Sequence, residues 1–93
     1  MRERWFGATG RRVPELAVEG DEAVPVGEAL VLDDVGDDER LRTEYERGTA
    51  IVVRAATADD VRRALARPEV ASVLVPESER ALLDLDLTEL TYG

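Results

Sequence analysis

The sequence predicts a small α/β fold in which short parallel strands alternate with helices. Three apolar runs rich in β-branched residues, 29–34, 50–55 and 72–77, start at nearly equal intervals, and each is followed by a polar break and a helical pattern. Continuous apolar strands are typical of sheets covered on both faces, and a helix between successive strands is typical of parallel pairing. We therefore predict a βαβαβ parallel sheet of two or three layers, preceded by an N-terminal hairpin and, as one alternative, followed by a C-terminal edge strand.

The chain length of 93 residues suits one domain, which the pattern divides into two parts. Residues 28–93 contain the three strand–helix units. Residues 1–27 contain the N-terminal hairpin and an edge segment. In the hairpin, the segments 3–8 and 12–18 flank a turn that is marked by Gly10.

The first predicted helix has recognisable signals at both ends. Asp37 or Asp38 is placed to cap its start, because a carboxylate accepts hydrogen bonds from the first free backbone N–H groups. The helix carries Leu41 and Tyr45 on one face. Gly48 follows the last turn, where a residue in the left-handed conformation is often required.

The second helix is the best-specified element of the chain, and the third is the least. Thr57 opens a motif close to a capping box, with Asp60 in place of the preferred glutamate, and Pro68 marks the end of the second helix. Ser78 is placed to cap a third helix. After it, alternating leucines predict either continued helix or a strand near 85–91, of which we favour the strand.

Two adjacent aromatic residues lie in the N-terminal hairpin. Side chains of neighbouring strand residues point to opposite faces, so only one of Trp5 and Phe6 is expected to enter the core. The exposed one is a candidate contact residue for a partner. The alternative is that it packs under the C-terminal segment.

The composition excludes several kinds of chemistry. The chain has no cysteine and no histidine, so it lacks disulfides, thiolate nucleophiles and the commonest metal ligand. Neither a signal-peptide pattern nor an apolar run of membrane-spanning length is evident in the sequence. We therefore expect a cytoplasmic protein with no membrane contact.

The charge is acidic and all of the cations are arginine. The chain has 21 acidic residues against 12 basic ones, a net charge of −9, and no lysine. This composition is typical of proteins from halophilic archaea that accumulate salt in the cytoplasm, where the salt screens the repulsion between carboxylates. High-GC coding is the alternative, although it explains arginine and not the excess of acids. Either reading predicts no nucleic-acid partner, because the chain repels phosphates.

The carboxyl ends of the predicted strands carry the candidate ligand-binding residues, because ligands of open parallel sheets bind there. Two adjacent carboxylates after the first strand suit Mg²⁺, although a solvated loop is the interpretation we favour in so acidic a chain. An arginine after the second strand suits an anion, with an ion pair to either of those carboxylates as the favoured alternative. The candidates are Asp33, Asp34, Arg54, Thr57, Glu77 and Ser78.

The sequence contains no nucleophile–base pair and no glycine-rich phosphate loop. We therefore predict a non-catalytic interaction or regulatory module without cofactor or metal, which acts by contact with another protein or by self-association. The alternative is a regulator that binds a small ligand or a nucleotide at the carboxyl ends of its parallel strands.

Overall fold

A computed structural model describes residues 3–84 and shows a small α/β fold with a two-stranded antiparallel sheet and a four-stranded parallel sheet. The strands are β1 (Glu3–Trp5), β2 (Arg12–Pro14), β3 (Leu16–Val18), β4 (Leu30–Leu32), β5 (Ile51–Arg54) and β6 (Ser72–Val75). The α-helices are α1 (Asp38–Glu46) and α2 (Ala58–Leu65), and 3₁₀ segments cover Val26–Glu28 and Glu77–Asp84. These elements confirm the predicted fold class.

The parallel sheet has one strand more than the three predicted. Its order is β3-β6-β5-β4, with all neighbours parallel. The extra strand comes from segment 12–18, which the sequence pattern assigns to the hairpin alone. The chain changes sheets at Glu15, because Pro14 ends the pairing with β1 and the Glu15 carbonyl oxygen accepts from the Val73 N–H (2.9 Å). Segment 12–18 therefore contributes one strand to each sheet.

The two faces of the parallel sheet have different covers. Both α-helices pack on one face, where the core contains Leu41 of α1, Val61 of α2, and Val53 of β5. The hairpin covers the opposite face, where Phe6 and Val13 pack in a second core cluster. Full burial of an aliphatic or aromatic side chain of this size stabilises a fold by about 1.5–3 kcal/mol. Both faces are therefore covered over the central strands β5 and β6, as continuous apolar strands require.

The predicted caps at the start of both α-helices and the predicted glycine after α1 are confirmed, and α2 ends at Leu65, three residues before Pro68. Asp37 Oδ1 accepts from the Arg40 N–H at the start of α1 (3.0 Å), and Thr57 Oγ1 accepts from the Asp60 N–H at the start of α2 (3.2 Å). Gly48 follows α1 with a φ of 82°, the left-handed conformation expected there.

The third predicted helix is present, in 3₁₀ rather than α-helical form. Residues Glu77–Asp84 form two short 3₁₀ helices that meet at a kink at Glu79, where the backbone (φ −115°, ψ 28°) leaves helical geometry. Leu82 and Leu83 nevertheless pack, half-buried, against the helix-side core. The strand predicted near 85–91 lies outside the described residues.

A glycine fixes the hairpin against the loop between α1 and β5. Gly7 has a φ of 59°, and a Cβ atom there would lie 2.4 Å from the Gly48 carbonyl oxygen and 2.7 Å from the Ala50 nitrogen. Both neighbours are backbone atoms that cannot rotate away. The next residue, Ala8, donates its N–H to the Gly48 carbonyl oxygen (2.9 Å). Only glycine allows this approach of the two loops.

We predict that Gly7→Ala lowers the free energy of unfolding by about 3 kcal/mol or more, because it combines a left-handed backbone with a steric clash. Gly10→Ala is the matched control, since Gly10 also has a positive φ (78°) but has open space around its Cβ position. The control is expected to cost about 1 kcal/mol. Urea denaturation followed by circular dichroism measures both, and equal losses would show that the close approach is unimportant.

Candidate functional site

Arg54 lies at the carboxyl end of β5 between two carboxylates. Its Nη1 is 3.4 Å from Glu19 Oε1, and its Nε is 3.9 Å from Asp33 Oδ1. The ion pair with Asp33 is one of the two that the sequence suggests. Glu19 is not among the sequence candidates, because it follows β3, the strand that the pattern did not separate from the hairpin. With a carboxylate on either side, Arg54 is partly neutralised as an anion-binding group.

The remaining candidates at this edge contact residues of their own segments. Asp34 Oδ1 accepts from the Gly36 N–H (2.9 Å), which closes a local turn. The Thr57 hydroxyl caps α2, and Glu77 pairs with Arg80 three positions later (2.6 Å). Ser78 is exposed on the 3₁₀ segment that follows β6. These contacts explain why such residues stand at strand ends, and ligand binding by them stays a prediction.

The hairpin resolves which of the two adjacent aromatic residues enters the core. Phe6 is 1% exposed and packs with Val13 on the parallel sheet, so it is excluded as a contact residue in the folded chain. Trp5 is 61% exposed. It pairs with Arg12 across the two strands, and the Arg12 guanidinium lies 5.2 Å from the centre of the indole ring. This cation–π contact restrains a large exposed aromatic side chain by about 0.5–1 kcal/mol.

The residue before Trp5 fixes β1 to the rest of the fold. The guanidinium of Arg4 donates through Nη2 to the carbonyl oxygen of Leu65 (2.7 Å) and through Nη1 to those of Arg67 (3.1 Å) and Val70 (2.9 Å). Its Nε donates to the buried carboxylate of Glu15 (3.1 Å). The last carbonyl groups of a helix lack partners within the helix, so one side chain satisfies the end of α2 and the loop that follows.

The loop after α2 contains a second arginine, Arg67, which forms ion pairs with two carboxylates. Arg67 donates to Asp38 at the start of α1 and to Glu69 (3.3 Å). Desolvation alone would lower the pKa of Arg67, but the hydrogen bond that it donates to Asp38 and the negative charges of Asp38 and Glu69 outweigh it and raise that pKa above its usual value. Arg67 therefore joins the loop after α2 to the start of α1.

No family model, curated protein or solved structure shows significant similarity to this chain. Within residues 3–84, no cluster of three or more acidic side chains has a geometry suited to a metal ion. Among the helices of that same range, none has the length and apolar character needed to cross a bilayer.

We predict that Arg4→Met lowers the free energy of unfolding by about 3 kcal/mol, because it leaves the Glu15 charge buried without its partner and removes hydrogen bonds to three carbonyl groups. Arg12→Met, on the neighbouring strand, is the matched control and is expected to cost under about 1 kcal/mol. Chemical denaturation compares them.

The double variant Arg4→Met/Glu15→Leu tests the cause. It is expected to be more stable than Arg4→Met alone, because the uncompensated carboxylate is removed together with its cation. A double variant that is less stable than Arg4→Met would contradict this role of the ion pair.

Proposed function

We propose that the chain is a non-catalytic interaction module that contacts a protein partner through the hairpin outer face, defined here as the exposed side chains of Glu3, Trp5 and Arg12. The observation that carries the proposal is the exposure of Trp5, whose indole ring is in cation–π contact with Arg12. Tryptophan and arginine are enriched at the energetic centres of protein interfaces. An exposed tryptophan–arginine pair is therefore a favourable contact site.

The surroundings of Trp5 favour binding for a second reason. Arg4 and Phe6, its chain neighbours, are fixed by hydrogen bonds and by burial, so the backbone of β1 is held on both sides of the tryptophan. A partner that binds Trp5 orders little new structure. Binding free energy is then reduced only slightly by lost conformational freedom.

We predict that Trp5→Ala abolishes capture of the partner from the native cell extract, because it removes the central apolar contact. Tyr45→Ala is the matched control, since Tyr45 is 53% exposed but lies on α1. The expected result is one protein bound, in equal amounts, by the wild type and Tyr45→Ala and absent with Trp5→Ala. A protein captured equally by all three chains would contradict the proposal.

Light scattering of the purified chain covers the homomeric form of this function. If the partner is a second copy, the apparent molecular mass of the wild type rises with protein concentration. The same rise is expected for Tyr45→Ala, whereas Trp5→Ala keeps the mass of a monomer. A wild-type monomer in dilute and molar salt, together with an extract that yields no Trp5-dependent partner, would overturn the proposal.

The proposed working environment is the cytoplasm of a halophile. Carboxylates such as Asp33, Asp59 and Glu77 have mostly exposed side chains, and their mutual repulsion is reduced by salt. We predict that the midpoint of thermal unfolding rises between 0.1 M and 2 M KCl, and that it rises more in Arg63→Glu, which adds negative charge. Calorimetry measures both midpoints, and a wild-type midpoint unchanged by salt would favour the high-GC alternative.

A further inference from the structure

The two edges of the parallel sheet differ in how they are covered. The outer strands of the order β3-β6-β5-β4 are β3 and β4. In β3, Leu16 and Ala17 are buried, and the 3₁₀ segment Glu77–Asp84 packs against the strand. All three residues of β4, Leu30–Leu32, are apolar and only half-buried. Natural sheets protect an open edge with charges, prolines or a covering segment, and β4 itself contains neither a charged residue nor a proline.

The backbone of β4 directs four polar groups away from the sheet. The Leu30 N–H donates to the carbonyl oxygen of Ala50, just before β5 (2.9 Å), and the register gives Leu32 the same orientation. In a planar trans peptide, a C=O and the N–H of the next residue point in opposite directions. The groups that point outwards, called the β4 edge, are therefore the Ala29 C=O, the Val31 N–H and C=O, and the Asp33 N–H. None of these four groups has a hydrogen-bond partner among residues 3–84.

We infer that the β4 edge pairs with the β4 edge of a second copy of this chain, as two antiparallel strands related by a two-fold axis at Val31. Each Val31 N–H then donates to the Val31 C=O of the other copy, and each Asp33 N–H donates to the Ala29 C=O of the other copy. The Ala29 N–H, which already donates to the Val26 carbonyl oxygen (3.2 Å), is not needed. All four outward groups are thus used. The pairing goes beyond the proposed function, because β4 belongs to the parallel sheet and the hairpin forms a sheet of its own.

The side chains fit the same two-fold axis. Leu30 lies opposite Leu32 of the second copy, in the type of antiparallel pair whose side chains are closer together. Two such leucine pairs form, and each removes half-exposed apolar surface from water. Asp33 lies opposite Ala29 of the second copy, so no two carboxylates are directly opposed within the paired segment.

The other edge of the sheet is a poorer partner for β4. The Val18 C=O of β3 already accepts from the Asp21 N–H (3.0 Å), and the acidic residues Glu15 and Glu19 stand on either side of that strand. Pairing of β4 with β3 of another copy would also leave an edge free at each end and continue as an open chain. Pairing of β4 with β4 uses the same strand of both copies and closes as a dimer.

The dimer is expected to be weak and to be strengthened by salt. Three strand residues span about 10 Å, so the contact belongs with the smallest protein interfaces. Each copy has a net charge of −9, and salt screens the repulsion between the copies. A contact held by ion pairs would instead weaken as salt is added. The direction of the salt effect therefore distinguishes the two kinds of contact.

Sedimentation equilibrium of the intact chain in 0.1 M and 2 M KCl tests the pairing. We expect the dissociation constant of the dimer to fall about tenfold or more at the higher salt. Val31→Pro removes the central donor, which the pairing of β4 with β5 does not use, and should raise that constant about tenfold or more. Val18→Pro is the matched control, because Val18 is half-buried and directs its N–H away from the sheet at the other edge. It should dimerise like the wild type, and circular dichroism verifies that both variants are folded.

Cysteine variants test the pairing without removing a donor, since the chain has no cysteine of its own. In the proposed pair the two Cα atoms of residue 31 lie about 5.5 Å apart, a distance that a disulfide spans. Under mild oxidation, Val31→Cys should form disulfide-linked dimers about tenfold faster than Val18→Cys. In an equimolar mixture of Leu30→Cys and Leu32→Cys, mixed dimers should exceed the share expected from random pairing, because these two positions face each other.

The outcomes separate this inference from the proposed function. A wild-type chain that stays monomeric in 2 M KCl, or equal crosslinking of Val31→Cys and Val18→Cys, would overturn the β4 pairing. Slow amide exchange of Val31 in the dilute monomer would overturn it as well, because the chain's own residues would then cover the edge. A dimer that is lost in Trp5→Ala and kept in Val31→Pro would assign self-association to the hairpin outer face and end this inference alone. A dimer that is kept in Trp5→Ala and lost in Val31→Pro supports it, and capture from extract still tests the hairpin outer face.

Discussion

The guanidinium of Arg4 is the contact on which the arrangement of the two sheets depends. The hairpin forms a sheet of its own, so it has no strand pairing with the parallel sheet that would hold it in place. Arg4 supplies a polar connection, because it donates hydrogen bonds to three carbonyl oxygens at the end of α2 and in the loop that follows it. It also binds the buried carboxylate of Glu15, which lies where the chain passes from β2 into β3. A buried carboxylate without this cation would be strongly destabilising, so hairpin and helix are held together by the same group.

This contact also determines which surface the hairpin presents. Strand side chains alternate, so directing Arg4 towards α2 directs Trp5 away from it, and the next residue, Phe6, turns back into the core. The exposure of Trp5 is therefore a consequence of how Arg4 and Phe6 are bound on either side. Arg12, opposite Trp5 in the register, then stacks on the indole ring and restricts it further. Strand β1, which has only three residues, therefore contains both Arg4, which stabilises the fold, and Trp5, the candidate contact residue.

Local signals predict much of this fold, and contacts between distant residues explain most of what the sequence does not predict. The central strands, the caps at Asp37 and Thr57, and the left-handed Gly48 are encoded within a few residues, and the structure confirms them. Strand β3 was missed because its pairing with β6 joins residues far apart in the chain. The contacts of Arg4 span 11 to 66 positions and have no local signature. The choice between Trp5 and Phe6 depends on those contacts and was open for the same reason.

The exclusive use of arginine has a structural reason at some positions and none at others. Arg4 makes four hydrogen bonds from three nitrogens, and a lysine ammonium, with three donors on one atom, cannot reproduce that geometry. Arg12 stacks its planar guanidinium on Trp5, an arrangement that also suits arginine better. Arg62 and Arg63, by contrast, form exposed pairs with acids three positions earlier on α2, where lysine would serve equally well. Composition alone accounts for Arg62 and Arg63, whereas Arg4 and Arg12 of the hairpin make contacts that hold and present Trp5.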